Sequence, residues 1–273
     1  MAITNISKSP SETYSTIQNA IDNANTGDTI ELDENEYNEQ VTVNVNKLTI
    51  KGPNAGTAGD SNQRDPEATI TDANGRSEIN APNVTINGLN FEFDEQAIRS
   101  GGGGEGLITN SRFELTDDTS DGYAIRAEES SAGIDVTDNL FTGITSNDGT
   151  DGDNANGVVV RDPNGTTIAR NNFSSVDTAV NIGSKSNDTK SGTVSVENNE
   201  FSDITQFGAV LVNNPDDSLD VDIEDNTIRS SEIGIFTFTS SADATFSIQD
   251  NEFKEFDTDQ VFVDDTAGVL NLS

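Results

Sequence analysis

The chain reads as an all-β solenoid, and three observations carry that reading. Seven times an aliphatic residue is followed five positions later by Phe or Ile: Ile86/Phe91, Ile108/Phe113, Val136/Phe141, Ile168/Phe173, Val196/Phe201, Ile223/Ile228 and Ile248/Phe253. The first members are separated by 22, 28, 32, 28, 27 and 25 residues. In five of these units an Asn stands two residues before the second anchor: Asn139, Asn171, Asn199, Asn226 and Asn251. A recurring unit of this length, with short strand cores, marks stacked coils.

The elements follow in order. Residues 11–25, SETYSTIQNAIDNAN, place Ile17, Ala20, Ile21 and Ala24 at helical spacing, with Ser11 or Thr13 to cap the start and Gly27 to end it. This short helix is expected to cap the open apolar end of the solenoid. Ile30 and Leu32 are the inward residues of the first coil, and Val41, Val43, Val45, Leu48 and Ile50 alternate as in half-buried strands. Residues 53–67 are polar, with Gly and Pro, and read as an excursion loop, after which Ile70 marks another coil. From Ile86 each unit reads strand, turn, strand, loop. The whole of 1–273 is expected to be one elongated domain, with coils over 28–256 and terminal strands over 257–273. With coils about 4.8 Å apart, ~10 of them make a rod of roughly 50 Å.

The recurring Asn suits a bend, because Asn tolerates left-handed backbone and its side chain bonds nearby backbone groups. Stacked in successive coils, Asn139, Asn171, Asn199, Asn226 and Asn251 are expected to form an amide ladder. The Phe anchors are core, filling one inner edge. The variable segments 100–106, 116–122, 146–157, 184–192 and 213–220 read as loops.

Composition narrows the chemistry. The chain has 49 acidic and 14 basic residues, a formal net charge of −35, and only 32% hydrophobic residues. Such a balance raises the question of disorder, which the periodic strand cores answer. At molar salt the Debye length falls to roughly 3 Å and self-repulsion is screened, so acid spread over the chain reads as adaptation to high salt. The rival reading is a calcium-loaded extracellular protein. Either disfavours nucleic acid, which needs cationic groups on phosphates. With no Cys and no His, disulfides, thiol catalysis and imidazole bases are excluded. No apolar run reaches the ~18 residues of a membrane span. The N-terminus lacks the apolar core of a secretory signal, and none is expected.

The stretch TIQNAIDNANTGDTIEL…EYNEQVTVNVNKLTIKGPNAG…EATI…NVTINGLNFEF resembles the opening of right-handed parallel β-helix proteins of the pectin-lyase-like superfamily. The later ARNNF, VENNEF, IEDNTI and IQDNEF resemble that superfamily's generic repeat. The resemblance covers nearly the whole chain and implies a single-stranded right-handed parallel β-helix. It says little of function, because the scaffold hosts lyases, hydrolases, esterases, epimerases and viral adhesins.

Three enzyme readings each lose a part. Hydrolysis needs two carboxylates about a glycosidic bond; Asp117/Asp118, Asp216/Asp217 and Asp264/Asp265 are candidates, but adjacent acids arise freely in so acidic a chain. The superfamily's polygalacturonases also use a His, which is missing here. Pectate lyases need calcium-binding acids and an Arg base. Arg161, Arg170, Arg126 and Arg99 are the plausible basic residues, and VVVRDPNG at Arg161 has Thr166 where the lyase element has its second Arg. Pectin esterases share the Tyr37-x-Glu39 region, which reads as scaffold, but not the catalytic motifs. Calcium is the one cofactor with candidate ligands, Asp148, Asp151 and Asp153 in NDGTDGDNANG, though the EF-hand pattern is not met. GGGGEG at 101–106 lacks the Lys of a phosphate loop. The sequons at Asn164, Asn172 and Asn187 matter only if the chain meets a glycosylation machinery.

The reading that the sequence favours is a non-enzymatic structural or adhesion protein of a halophilic virus particle: a head spike or turret, a decoration protein or a tail fibre. It would be a homotrimer contacting other virion proteins, with the loops at 94–106, 116–131, 146–157 and 184–192, aided by Tyr123 or Phe207, meeting host glycan or glycoprotein at the virion surface. One alternative is a lyase or hydrolase acting on acidic polysaccharide. Another is a carbohydrate-binding protein of the haloarchaeal cell surface.

Overall fold

A computed structural model describes residues 2–72, 75–101, 106–116, 122–128, 133–146, 155–161, 164–183, 192–214, 219–231, 233–239, 245–255, 259–263 and 269–272. The chain winds through three parallel β-faces. Face 1 contains Thr29–Leu32, Thr49–Lys51, Thr85–Asn87, Gly106–Thr109, Ile134–Thr137, Asn164–Ala169, Gly192–Glu197, Leu219–Glu224, Thr245–Gln249 and Val269–Leu272 in that spatial order. Faces 2 and 3 belong to one sheet, because the strands Asn172–Ile182 and Glu200–Asn214 run round the bend between them without a break. This is a right-handed parallel β-helix. Among the described residues no helix is long and apolar enough to cross a membrane.

The spaced anchors meet in register. Ile86, Ile108, Val136, Ile168, Val196, Ile223 and Ile248 are successive partners on face 1. Phe91, Phe113, Phe141, Phe173, Phe201, Ile228 and Phe253 are successive partners on face 2. Five of the Phe rings stack at 4.5–5.1 Å between centroids, tilted by 12° or less. Burying each such side chain stabilises by about 1.5–3 kcal/mol, and a register slip would turn every anchor out to solvent. Gly157 is required by this packing: a Cβ there would lie 2.7 Å from the Ala179 carbonyl oxygen and 2.8 Å from the Phe173 ring.

The five asparagines stand at the corner between faces 1 and 2. Asn139 donates to Asn171 Oδ1 from both its backbone N (3.0 Å) and Nδ2 (3.1 Å). Asn171 does the same to Asn199, Asn199 to Asn226, and Asn226 to Asn251. The second Nδ2 hydrogen goes to a face 1 carbonyl, as from Asn171 to Val136 at 2.8 Å. The column begins at Ser111, whose backbone N donates to Asn139 Oδ1. The left-handed residue of the corner is not the ladder Asn but the one before it. Asp138, Arg170, Asn198, Asp225 and Asp250 have φ of 51–59°, and the amide beside each, buried in all but Asn251, satisfies the turn.

The N-terminal end differs from the sequence expectation. The helix spans Ile17–Asp22 rather than 11–25, and Thr16, not Ser11 or Thr13, caps it by accepting from Asn19 N. The Glu39 carboxylate accepts from Ile17 N at 2.9 Å and fixes the helix start. Glu12–Tyr14 forms a strand instead, pairing antiparallel with Ile3–Asn5, which itself pairs antiparallel with Thr29–Leu32. The edge of face 1 is thus closed by strands, and the helix buries Ile17, Ala20 and Ile21 over the core. At the other end, Asp259–Val263 and Val269–Leu272 continue faces 3 and 1 in register.

The excursion at 53–67 folds back on the ladder corner. Arg64 pairs with Glu67 and donates to the carbonyls of Thr57, Ala58 and Asn110. Farther along, buried Asp177 accepts from Ser146 N (2.7 Å), Ala155 N (3.1 Å) and the Thr205 hydroxyl (2.6 Å).

Candidate functional site

Face 3 gathers four of the chain's eight arginines. Successive strands Ser77–Ile79, Gln96–Ser100 and Tyr123–Ala127 align Glu78, Arg99 and Arg126 as one outward column. Arg161 follows the next strand, Asn156–Val160, and its backbone N bonds the Ala127 carbonyl at 2.8 Å. Arg76 precedes the first of them. Four of the chain's arginines therefore meet on one patch of a molecule whose net charge is −35.

Two carboxylates knit the patch. Glu78 receives Arg76 Nε at 2.6 Å and lies 3.5 Å from Arg99 Nη1. Glu128 receives Arg99 Nε at 3.1 Å and approaches Arg126 Nε at 2.6 Å without hydrogen-bond alignment. Arg76 also donates to Gln96 Oε1 at 3.0 Å. Arg126 Nη1 donates to the Tyr123 hydroxyl at 3.1 Å, and its guanidinium lies 5.3 Å from the centre of that ring. Arg161 Nη1 donates to the Gly183 carbonyl at 3.0 Å. The Nε groups of Arg126 and Arg161 are buried without a hydrogen-bond acceptor. Burial, and then the Arg126 guanidinium, hold Arg161 below the ordinary arginine range against the opposing pull of Tyr123 and Glu128. Among the described residues the patch has four arginines against two glutamates, an excess of two positive charges. Buried guanidinium donors without acceptors are costly, and an incoming oxyanion would satisfy them.

The structure sorts the sequence candidates. It brings Arg99, Arg126 and Arg161 together, and puts Tyr123 beside them. Arg170 lies apart on the ladder corner, bonded to Asp138 at 2.9 and 2.8 Å. Asp117, Asp118, Asp148, Asp151, Asp153, Asp216, Asp217, Asp264, Asp265 and Asn187 lie outside the described residues, as do 102–105 of GGGGEG and the Phe207 side chain. Asn164 is exposed at the start of a strand, and Asn172 is half-buried within one. Tyr37 is buried with its hydroxyl on the Asp33 carbonyl, and Glu39 caps the helix. The expected presenting loops at 94–106 and 116–131 contain strands Gln96–Ser100 and Tyr123–Ala127, and 146–157 ends in the first two residues of strand Asn156–Val160, so the patch sits on sheet. Arg76, Glu78, Gln96 and Glu128 were not candidates from sequence. Two signals could have found them: Arg-x-Glu at 76–78 and 126–128, and the repeat of Ala-Ile-Arg at 97–99 and 124–126.

Calcium, which the resemblance to pectate lyases implies, does not fit the described donors. It takes six to eight oxygens. Glu78 and Glu128 are bound up with guanidiniums, and among the described residues no group of three or more potential metal ligands stands together. A separate cleft of about 780 Å³, lined by Glu31, Asp33, Glu34, Lys51 and Asp65 among others, is rich in carboxylates and unsuited to an anionic ligand.

Fold and site together define a β-helix scaffold that displays an arginine patch on one parallel face. The chain belongs to the family described as right handed beta helix region, whose model matches residues 72–270. Its fold is also similar to that of the PL6 family alginate lyase AlyGC, with a TM-score of 0.54 and 19% identity, over 92% of this chain and 38% of the lyase. The chain thus spans well under half the length of that enzyme. No curated protein matches the sequence.

Proposed function

We propose that the protein binds an acidic polysaccharide on the arginine patch of face 3 and cleaves it by β-elimination. The observation that carries the reading is the convergence of Arg76, Arg99, Arg126 and Arg161 on one rigid face of a strongly acidic chain. The fold of an alginate lyase supports it. Elimination at a uronate needs three things: neutralisation of the sugar carboxylate, a base for the adjacent carbon-bound proton, and a proton for the departing oxygen. Arg99 and Arg126 supply the first, as fixed donors aimed at developing negative charge. Arg161, beside Arg126, adds a further donor to the same carboxylate, and the carbon-bound proton passes to solvent water. Tyr123 accepts a hydrogen bond from Arg126, which leaves its own hydrogen available for donation to the leaving oxygen.

A non-catalytic reading is favoured by one observation: both described patch carboxylates are engaged by arginines, which leaves no carboxylate base. In that reading a glycan-holding surface protein, including the trimeric spike or fibre of a halophilic virus particle, uses the same face without turnover. One assay separates the two. Purified protein in about 2 M NaCl, where the acidic surface is screened, is incubated with alginate and with polygalacturonate. Growth of ultraviolet absorbance from unsaturated uronate ends supports elimination. Retention of either polymer with no new chain ends supports the binding-only reading, and neither result leaves the patch without a polysaccharide role.

A further inference from the structure

The patch holds an arrangement that a cation-bridged site would not need. A protein that neutralises a uronate through a divalent ion must offer that ion carboxylate oxygens. Here the two described carboxylates of the patch face guanidiniums: Glu78 lies against Arg76 and Arg99, and Glu128 against Arg99 and Arg126. Among the described residues their charges are more than cancelled, so a divalent cation would meet net positive charge from these side chains. The donors tell the same story. Arg161 keeps a buried Nε–H with no acceptor, and Arg126 Nε–H is not aligned with the Glu128 oxygen 2.6 Å from it; a guanidinium offers its hydrogens in a planar fork that matches a carboxylate. The unmet demand of the patch is for an acceptor.

Resting on the reading above, we propose that the patch takes the carboxylate of an acidic polysaccharide directly on Arg126 and Arg161, without a bridging divalent cation. Glu128 is then a positioning residue: it holds Arg99 and Arg126 side by side and keeps the site from drawing in an anion too tightly to release.

The test uses a fluorescently labelled oligouronate and anisotropy at constant ionic strength, with the full chain. Binding is measured with EDTA, and with calcium replacing part of the sodium. The expected dissociation constant is the same in both within about twofold, and Arg126→Gln weakens it by about tenfold to a hundredfold, the scale of a lost charge-assisted hydrogen bond. Arg126→Lys keeps the charge and loses the fork, so it is expected to bind between the two. Circular dichroism of each variant checks that the coils persist. Should Arg126→Gln fail to fold, Arg161→Gln carries the same expectation. Binding that vanishes in EDTA and returns with calcium overturns the inference but leaves the polysaccharide reading standing. Binding that ignores EDTA and also ignores the substitutions at 126 and 161 places the polymer elsewhere and overturns it too. No binding in either buffer overturns the inference together with the reading.

Discussion

Two columns of polar side chains stand on this rod, and they have opposite fates. At the corner of faces 1 and 2 the column is Asn; on face 3 it is Glu78, Arg99 and Arg126, flanked by Arg76 and Arg161. An amide has both acceptor and donors, so Asn139 gives to Asn171, which gives to Asn199, and nothing is left over. A guanidinium has donors only. Arg99 over Arg126 cannot form a ladder, so carboxylates must be brought in, and even then Arg161 Nε–H has no acceptor and Arg126 Nε–H is out of line with its own. Repetition can satisfy an amphoteric group. It cannot satisfy a pure donor, and the shortfall is where a ligand finds purchase.

The largest expected effect breaks the amide column. Asn171→Ala strands the Asn139 backbone N–H and the Val136 carbonyl inside the rod, and each orphan costs about 1–3 kcal/mol. Denaturant unfolding is expected to show a loss of roughly 2–6 kcal/mol. Arg126→Gln should invert the pattern. Turnover of a uronate polymer falls by about a hundredfold or more, as for loss of a donor to developing charge. Stability falls less, by about 1–2 kcal/mol, because Glu128 keeps Arg99 as a partner. A mutant in which stability falls as far as for Asn171→Ala would erase the distinction.

Salt sharpens it further. Raising NaCl from about 0.1 to about 2 M screens the charge of −35 and should raise the unfolding midpoint, while loosening the anion on the arginine patch. Asn251→Ala, at a partly exposed end of the ladder, should cost only about 1 kcal/mol, and a cost equal to that of Asn171→Ala would mean burial is not what makes the rungs count. The smallest effect is at Tyr14, pushed up to about 12 by its hydrogen bond to Glu12 and by burial. A phenol pKa raised in the fold adds stability that is present below the unfolded value near 10 and lost as pH climbs through about 12. Burial also raises Tyr37, so Tyr14→Phe should remove one late-titrating tyrosine from an alkaline absorbance titration and leave the other.

How much of this was legible follows from what repeats. The Ile and Phe anchors recur at fixed offset within each unit, so the face 1 and face 2 registers could be read from spacing alone. The residues of the Asn column were equally visible, but the strained residue was misplaced by one. The left-handed positions are Asp138, Arg170, Asn198, Asp225 and Asp250, which vary in type and so leave no motif. The strand at Glu12–Tyr14 was hidden because apolar spacing in 17–24 extrapolates backward as helix, and only pairing with Ile3–Asn5 says otherwise. The arginine patch was the least legible part. Arg76, Arg99, Arg126 and Arg161 are separated by 23, 27 and 35 residues, and the intervening loops vary in length. Only the register of face 3 turns that irregular spacing into one surface.

Asp177 gives the rod a socket. Its carboxylate grips the backbone of Ser146 and of Ala155 and is steadied by Thr205, so both roots of segment 147–154 are fastened to a coil that does not depend on what lies between them. A chain built this way can exchange the inserted stretch for another of different length or chemistry while the coils beneath keep their register. In evolutionary terms the scaffold and its decoration are separately heritable, and in the hands of an engineer the same clasp is a grafting point a few residues from the arginine face.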